Sequence, residues 1–66
     1  MQIIVNGQSR QVAESATVAG LLDELNLTDK PVAVEVNLEL VPRQRHSQRQ
    51  LAEGDRLEIV TLVGGG

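Results

Sequence analysis

The 66-residue chain predicts a small α+β domain, with a mixed sheet of four to five strands packed on one helix. Three observations carry that reading. Period-two runs of β-branched residues stand at both ends of the chain, the pattern of strands with one buried face. A single apolar stripe of helical spacing lies between them at Val18, Leu21, Leu22 and Leu25. Phe, Tyr and Trp are absent, so one core has to be assembled from Val, Leu and Ile contributed by several short elements.

Met1-Gln2-Ile3-Ile4-Val5 places Met1, Ile3 and Val5 on one face. Asn6-Gly7 follows, the pair that suits a two-residue hairpin turn because both positions need positive φ. The returning strand, around Ser9 to Ala13, is polar and gives the core chiefly Val12. Thr17 fits an N-cap whose hydroxyl satisfies a free amide of the first helical turn. Asn26 can take the left-handed conformation that ends a helix, with Leu27 folding back on the last turn. Gly20 costs this helix about 1 kcal/mol relative to Ala, and Asp23 and Glu24 oppose its dipole.

After Pro31, Val32-Ala33-Val34-Glu35-Val36 alternates, the valines on one face and Ala33 and Glu35 on the other. A tight turn at Asn37-Leu38 leads to Glu39-Leu40-Val41, which Pro42 stops. The polar stretch from Arg43 to Gln50 reads as an irregular or single-turn segment anchored by Leu51. Glu53-Gly54-Asp55 is a turn, and Arg56 to Leu62 is the strongest strand in the chain. One helix covers one sheet face, so the other face stays wet. The first and last strands are the most apolar and are expected side by side and parallel at the sheet centre, a β-grasp arrangement. The domain is expected to span residues 1–63, with residues 64–66 a flexible glycine tail.

Composition closes off several classes of function. A net charge of −3 repels phosphates, and without aromatics there is no stacking platform for bases, so nucleic acid is not an expected partner. No cysteine is present, and His46 is the single histidine; neither a metal site nor a catalytic triad can be assembled around it, and it is expected at the surface. Asp23 and Glu24 are adjacent on a helix and do not face each other. Met1 leads directly into a strand, leaving no room for a signal peptide, and no apolar run is long enough to span a membrane. A cytoplasmic protein is expected. The basic cluster Arg43, Arg45, His46 and Arg49 reads as a solvated loop, with Arg43 holding it.

Gly64-Gly65-Gly66 is the chain's candidate functional end. A terminal carboxylate is a poor electrophile, and a nucleophile can use it only after conversion to a mixed anhydride such as an acyl-adenylate. The enzyme that makes the anhydride has to enclose it against water. A tail that enters such a site must be narrow, extended and free of side chains, which glycine provides. The tail also needs a stiff base, and the last strand supplies one. If Leu57 and Ile59 point into the core, Glu58, Val60 and Leu62 point away from it. Val60 and Leu62 would then be apolar residues on a wet face just before the tail, as partner sites often are.

Met1-Gln2-Ile3, Asn6-Gly7, Ala16-Thr17-Val18 with Leu21-Leu22, Val41-Pro42-Arg43, Gly54 to Val60 and the final Gly65-Gly66 together resemble the ThiS family of sulfur carrier proteins of thiamine biosynthesis. The resemblance covers the whole chain. It implies a ubiquitin-like β-grasp fold and a carrier that is not itself an enzyme. In such a carrier the Gly66 carboxylate is adenylated by an activating enzyme that uses ATP and magnesium, and a sulfur donor protein then converts it to a thiocarboxylate. Thiazole synthase takes the sulfur for the thiazole ring. Gly65 and Gly66 carry the family's ending, with Gly64, Val60, Leu62 and Glu58 as candidate partner contacts. No cofactor is expected on the chain itself. Asn37-Leu38 departs from the pattern, since glycine is expected at that turn. Three alternatives stay open: a carrier for molybdopterin synthesis, a ubiquitin-like modifier, and a β-grasp interaction module with an inert tail.

Overall fold

The computed structural model describes residues 1–62, and the four that follow, Val63, Gly64, Gly65 and Gly66, lie outside the described residues. The order of elements is β1 (Gln2–Val5), β2 (Gln8–Gln11), α1 (Val18–Glu24), β3 (Val32–Val36), β4 (Glu39–Val41), a single 3-10 turn at Arg43–Arg45, and β5 (Arg56–Thr61). The strands form one five-stranded sheet in the order β2-β1-β5-β3-β4. β5 is its centre, parallel to β1 and antiparallel to β3. This is the expected β-grasp topology, with the most apolar strand paired on both sides.

Local chemistry explains each junction. Asn6 and Gly7 adopt φ of 50° and 84°, the primed turn that matches the twist of a hairpin. Thr17 Oγ1 accepts the Gly20 N–H at 3.1 Å and caps α1. At the other end Asn26 takes φ 61°, and the N–H groups of Asn26 and Leu27 donate to the carbonyls of Asp23 and Leu22. That pair of bonds is the Schellman arrangement, and it turns Leu27 back to pack against the core. Gly20 is exposed, and a Cβ there would meet only Thr17 Oγ1 at 3.4 Å; nothing in the structure explains the glycine.

The core comprises Ile3, Val12, Val18, Leu21, Leu22, Val34, Val36, Val41, Leu51, Leu57 and Ile59, all aliphatic. Its members from β1, β3 and β5 share one sheet face, against which α1 lays Val18, Leu21 and Leu22. Leu51 reaches this core from the segment after the 3-10 turn, as expected, and its N–H donates to the Ala16 carbonyl at 2.9 Å.

His46 corrects the sequence reading. It is 8% exposed, not a surface residue, and its Nε2 donates to the Val41 carbonyl at 3.0 Å. Its own carbonyl accepts the Ala19 N–H at 2.8 Å, so the residue joins the end of β4 to α1. Periodicity gave no hint of this, because the neighbours Arg43, Arg45 and Ser47 are all exposed and His46 is the one fully buried residue of the segment.

Candidate functional site

The candidate site is the end of β5 and the sheet face around it. Leu57 and Ile59 are buried, and Glu58, Val60 and Leu62 point to solvent, as strand alternation requires. Gly64, Gly65 and Gly66, expected to carry the chemistry, fall outside the described residues. What can be described is the base from which they depart.

That base is held on both edges. On the β3 side the ladder runs from Val36 opposite Leu57 to Val32 opposite Thr61, and the Leu62 N–H donates to the Pro31 carbonyl at 2.8 Å. On the other side β1 pairs only through Ile4 and Val5, opposite Arg56 and Leu57. Where β1 ends, the Asn6 backbone N–H donates to the Leu57 carbonyl at 2.9 Å. The Asn6 side chain then takes over from the strand: Nδ2 donates to the Ile59 carbonyl at 3.1 Å, and Oδ1 accepts the Ile59 N–H at 2.8 Å. An amide side chain thus supplies both partners that a longer β1 would have supplied. The pairing extends β5's support by one residue pair towards the tail.

The opposite end of β5 is fixed in a similar way. Asn37 Nδ2 donates to Asp55 Oδ1 and Asn37 Oδ1 accepts the Arg56 N–H, each at 3.0 Å. Asp55 Oδ2 accepts the Ala52 N–H at 2.8 Å, which satisfies a carboxylate that is only 9% exposed. Both asparagines were read from the sequence as turn residues alone. The dipeptide signals are local, whereas their amide partners lie 53 and 18 residues away.

Among the described residues four large apolar side chains are exposed: Leu38 in the β3–β4 turn, Leu40 on β4, Val60 on β5 and Leu62 just after it, at 88%, 65%, 55% and 51%. Val60 lies opposite Ala33 on β3, and Leu40 of β4 opposite Glu35. Glu35, half-buried, lies directly opposite Glu58. Leu38 and Leu40 escaped the sequence reading, which weighed only the final strand for such a patch. Asn37 and Leu38 form the β3–β4 turn with φ of 52° and 71°. The geometry is the one glycine was expected to serve, with leucine held in the left-handed region.

The basic cluster does not converge. Arg43 and Arg45 are exposed, Arg49 is half-buried, and His46 faces the core. Arg45 and Arg49 border a shallow groove beside β4 with Leu40 and Pro42. Among the described residues there is no group of three His, Cys, Asp or Glu side chains that could hold a metal. No helix among them is long and apolar enough to cross a membrane.

Comparison with known proteins gives consistent results. The ThiS family model matches residues 3–66. A thiazole synthase of Paramagnetospirillum magneticum is 46% identical over all 66 residues, which make up 20% of that protein's length. The sulfur carrier protein ThiS of Escherichia coli is 33% identical over the full length of both chains. A crystal structure of the thiamine biosynthesis protein ThiS from Geobacter metallireducens matches with a TM-score of 0.84 at 35% identity, each chain covered completely.

Proposed function

We propose, from the premise that the chain belongs to the ThiS family, that it carries sulfur on Gly66 for formation of the thiazole ring in thiamine biosynthesis. The observation that carries this is the family match, which runs from β1 through the terminal glycine. The pinned exit of β5 supports it, since a tail loaded by one enzyme and unloaded by another needs a fixed point of departure.

The chemistry follows from the carboxylate. Its oxygen attacks the α-phosphorus of ATP in an activating enzyme, releasing pyrophosphate and leaving an acyl-adenylate on Gly66. Magnesium on the nucleotide offsets the phosphate charge. A sulfur nucleophile then attacks the acyl carbon and AMP leaves. A hydrosulfide would give the thiocarboxylate directly. A persulfide of a donor protein would give an acyl disulfide, which a second thiol cleaves with two electrons to the same product. Gly64 and Gly65 serve as the lead-in that lets both enzymes close around Gly66. The chain contributes no acid, base or cofactor to these steps and acts as the substrate of its partners.

Thiazole synthase is the proposed acceptor. The domain's counterpart within the Paramagnetospirillum magneticum thiazole synthase supports that pairing, since joining a carrier to its acceptor raises their effective concentration. Val60, Leu62 and Glu58 are the proposed partner contacts next to the tail. The cytoplasm, where ATP is available, is the proposed site of action.

Intact mass spectrometry tests the reading. After incubation with ATP, magnesium, the activating enzyme and a sulfur source, one oxygen of the chain should be replaced by one sulfur. A variant lacking Gly65 and Gly66 should keep its fold and its original mass. Full transfer activity without those two residues would overturn the proposal.

A further inference from the structure

We propose that the groove along the free edge of β4 binds an extended, acidic segment of a partner protein, which adds to the sheet as a short strand and sets a carboxylate against Arg45 and Arg49. Such a site goes beyond sulfur carriage and needs nothing from the glycine tail.

The backbone supplies one half of the site. β4 is an edge strand, paired with β3 alone. The Asn37 N–H donates to the Arg56 carbonyl and the Leu62 N–H to the Pro31 carbonyl, so the odd-numbered residues along β3 turn their backbone polar groups towards β5. Val34 and Val36 turn theirs towards β4, and their partners Val41 and Glu39 point back. Leu40, between those two, therefore aims its N–H and C=O away from the sheet. Neither group has a hydrogen-bond partner among the described residues, and the Leu40 side chain is 65% exposed. Unpaired groups on a strand edge are a template for an incoming strand. Pro42, which has no N–H to offer, keeps the added strand short.

The side chains supply the other half and choose the occupant. The groove, of about 620 Å³, is lined by Leu40, Val41 and Pro42 and by Arg45 and Arg49 from the turns that follow, with Glu39 beside them. The Arg49 N–H donates to the Arg45 carbonyl at 2.9 Å, a helical turn that brings two cationic side chains together, where they repel. Among the described residues the ion pairs are Met1 with Glu14 and Arg10 with Glu24, so neither arginine is matched, by Glu39 or by any other carboxylate. The Nε of Arg49 is buried without a hydrogen-bond partner, which holds the stem against the protein and leaves the Nη end to meet a ligand. In a chain of net charge −3, an uncompensated arginine pair selects a carboxylate. A nucleic-acid strand would use the arginines but not the Leu40 edge, whereas an extended acidic peptide uses both.

Strand geometry sets the pattern of the occupant. The carbonyls of His46 and Arg49 accept the N–H groups of Ala19 and Val18 at 2.8 and 3.0 Å, so the arginine segment belongs to the helix side of the sheet. Leu40 lies on the outer side, opposite Glu35. Side chains of an added strand alternate between those two sides. An apolar residue beside Leu40, alternating with Asp or Glu towards the arginines, satisfies both. β3 separates this edge from β5, so an occupied groove leaves the exit of β5 uncovered. A partner held there is kept beside the domain at high effective concentration.

NMR titration of the full chain tests this with a short peptide, blocked at both ends, that alternates valine and glutamate. The Leu40 amide should shift as the peptide binds. A peptide with glutamine in place of glutamate should bind about tenfold more weakly or worse, as should the original peptide to Arg45→Gln/Arg49→Gln. Arg45→Lys/Arg49→Lys should fall between, since lysine keeps the charge and loses the fork. Leu40→Pro removes only an outward N–H, which an edge strand tolerates; it should unfold within a few degrees of the parent and lose affinity by about tenfold. Should that variant fail to fold, the arginine variants decide alone. No shift of the Leu40 amide up to about 1 mM peptide, equal binding of the glutamine peptide, or full affinity in Arg45→Gln/Arg49→Gln would each overturn the inference. Saturation by free glutamate or inorganic phosphate without a shift at Leu40 would overturn it too. Deleting Gly65 and Gly66 should leave the affinity unchanged, and loss of binding in that variant would place the site elsewhere. Sulfur loading has no part in the readout, so failure of the carrier reading leaves the result standing.

Discussion

β5 presents apolar side chains to both faces of the sheet, and the two faces treat them differently. Leu57 and Ile59 are 1% and 8% exposed, whereas Val60 and Leu62, of the same chemical class, are 55% and 51% exposed. The buried pair is accounted for by the core. Val36 lies opposite Leu57 and Val34 opposite Ile59, and α1 closes over that face. The exposed pair has no such account within the chain. A protein of this size has one helix to spend on covering a sheet, and it covers one side. The proposed partner contacts Val60, Leu62 and Glu58 lie on the remaining side.

The contrast can be sharpened by substitutions on the two faces. Leu57→Ala should have the largest effect on the fold, about 2–5 kcal/mol, read from the urea midpoint. In a domain of 66 residues that is a large part of the total, because stability runs at only about 0.05–0.15 kcal/mol per residue. A loss below about 1 kcal/mol would mean that the core face is far less tightly packed than it looks. Asn6→Ala is expected to have an intermediate effect. It removes both side-chain bonds to Ile59 and should cost about 1–3 kcal/mol. The amide of Ile59, which donates to Asn6 Oδ1, should exchange hydrogen faster in the variant. Unchanged exchange there would show that β5 does not need Asn6 to hold its exit.

Val60→Glu should have the smallest effect on stability, within about 0.5 kcal/mol for an exposed site. It should nevertheless weaken binding to the activating enzyme, since it places a third carboxylate beside Glu35 and Glu58 in the middle of the apolar strip. If Val60→Glu unfolds the domain as Leu57→Ala does, the two faces are not distinct. If binding to the activating enzyme and to thiazole synthase both survive it, the outer face is not where partners dock.

The legible and illegible parts of this chain divide on a physical line. Strands, helix, the Asn6-Gly7 and Asn26 turns and the alternation of β5 were readable because each depends on residues a few positions apart. The central parallel pairing of β1 and β5 was also inferred, since the two most apolar strands belong where both edges are paired. His46 was misread. Its burial depends on the Val41 carbonyl and on the close approach of α1, and no local pattern announces an inward-facing residue in a polar segment. The Asn37-Leu38 turn stood out in the sequence only as a place without glycine. The structure shows that the backbone stays in the left-handed region there and leucine bears the strain.

The site divides in the same way. The glycines at 64–66 could be read as a candidate lead-in from the sequence alone, because glycine's lack of a side chain is a property of the residue and needs no neighbours. The opposition of Glu35 and Glu58 and the reach of the Asn6 and Asn37 amides across 53 and 18 residues were decided only by tertiary structure. Strand register and side-chain hydrogen bonds join residues distant in the chain. Their pairing is fixed by how the whole core closes and not by any segment alone.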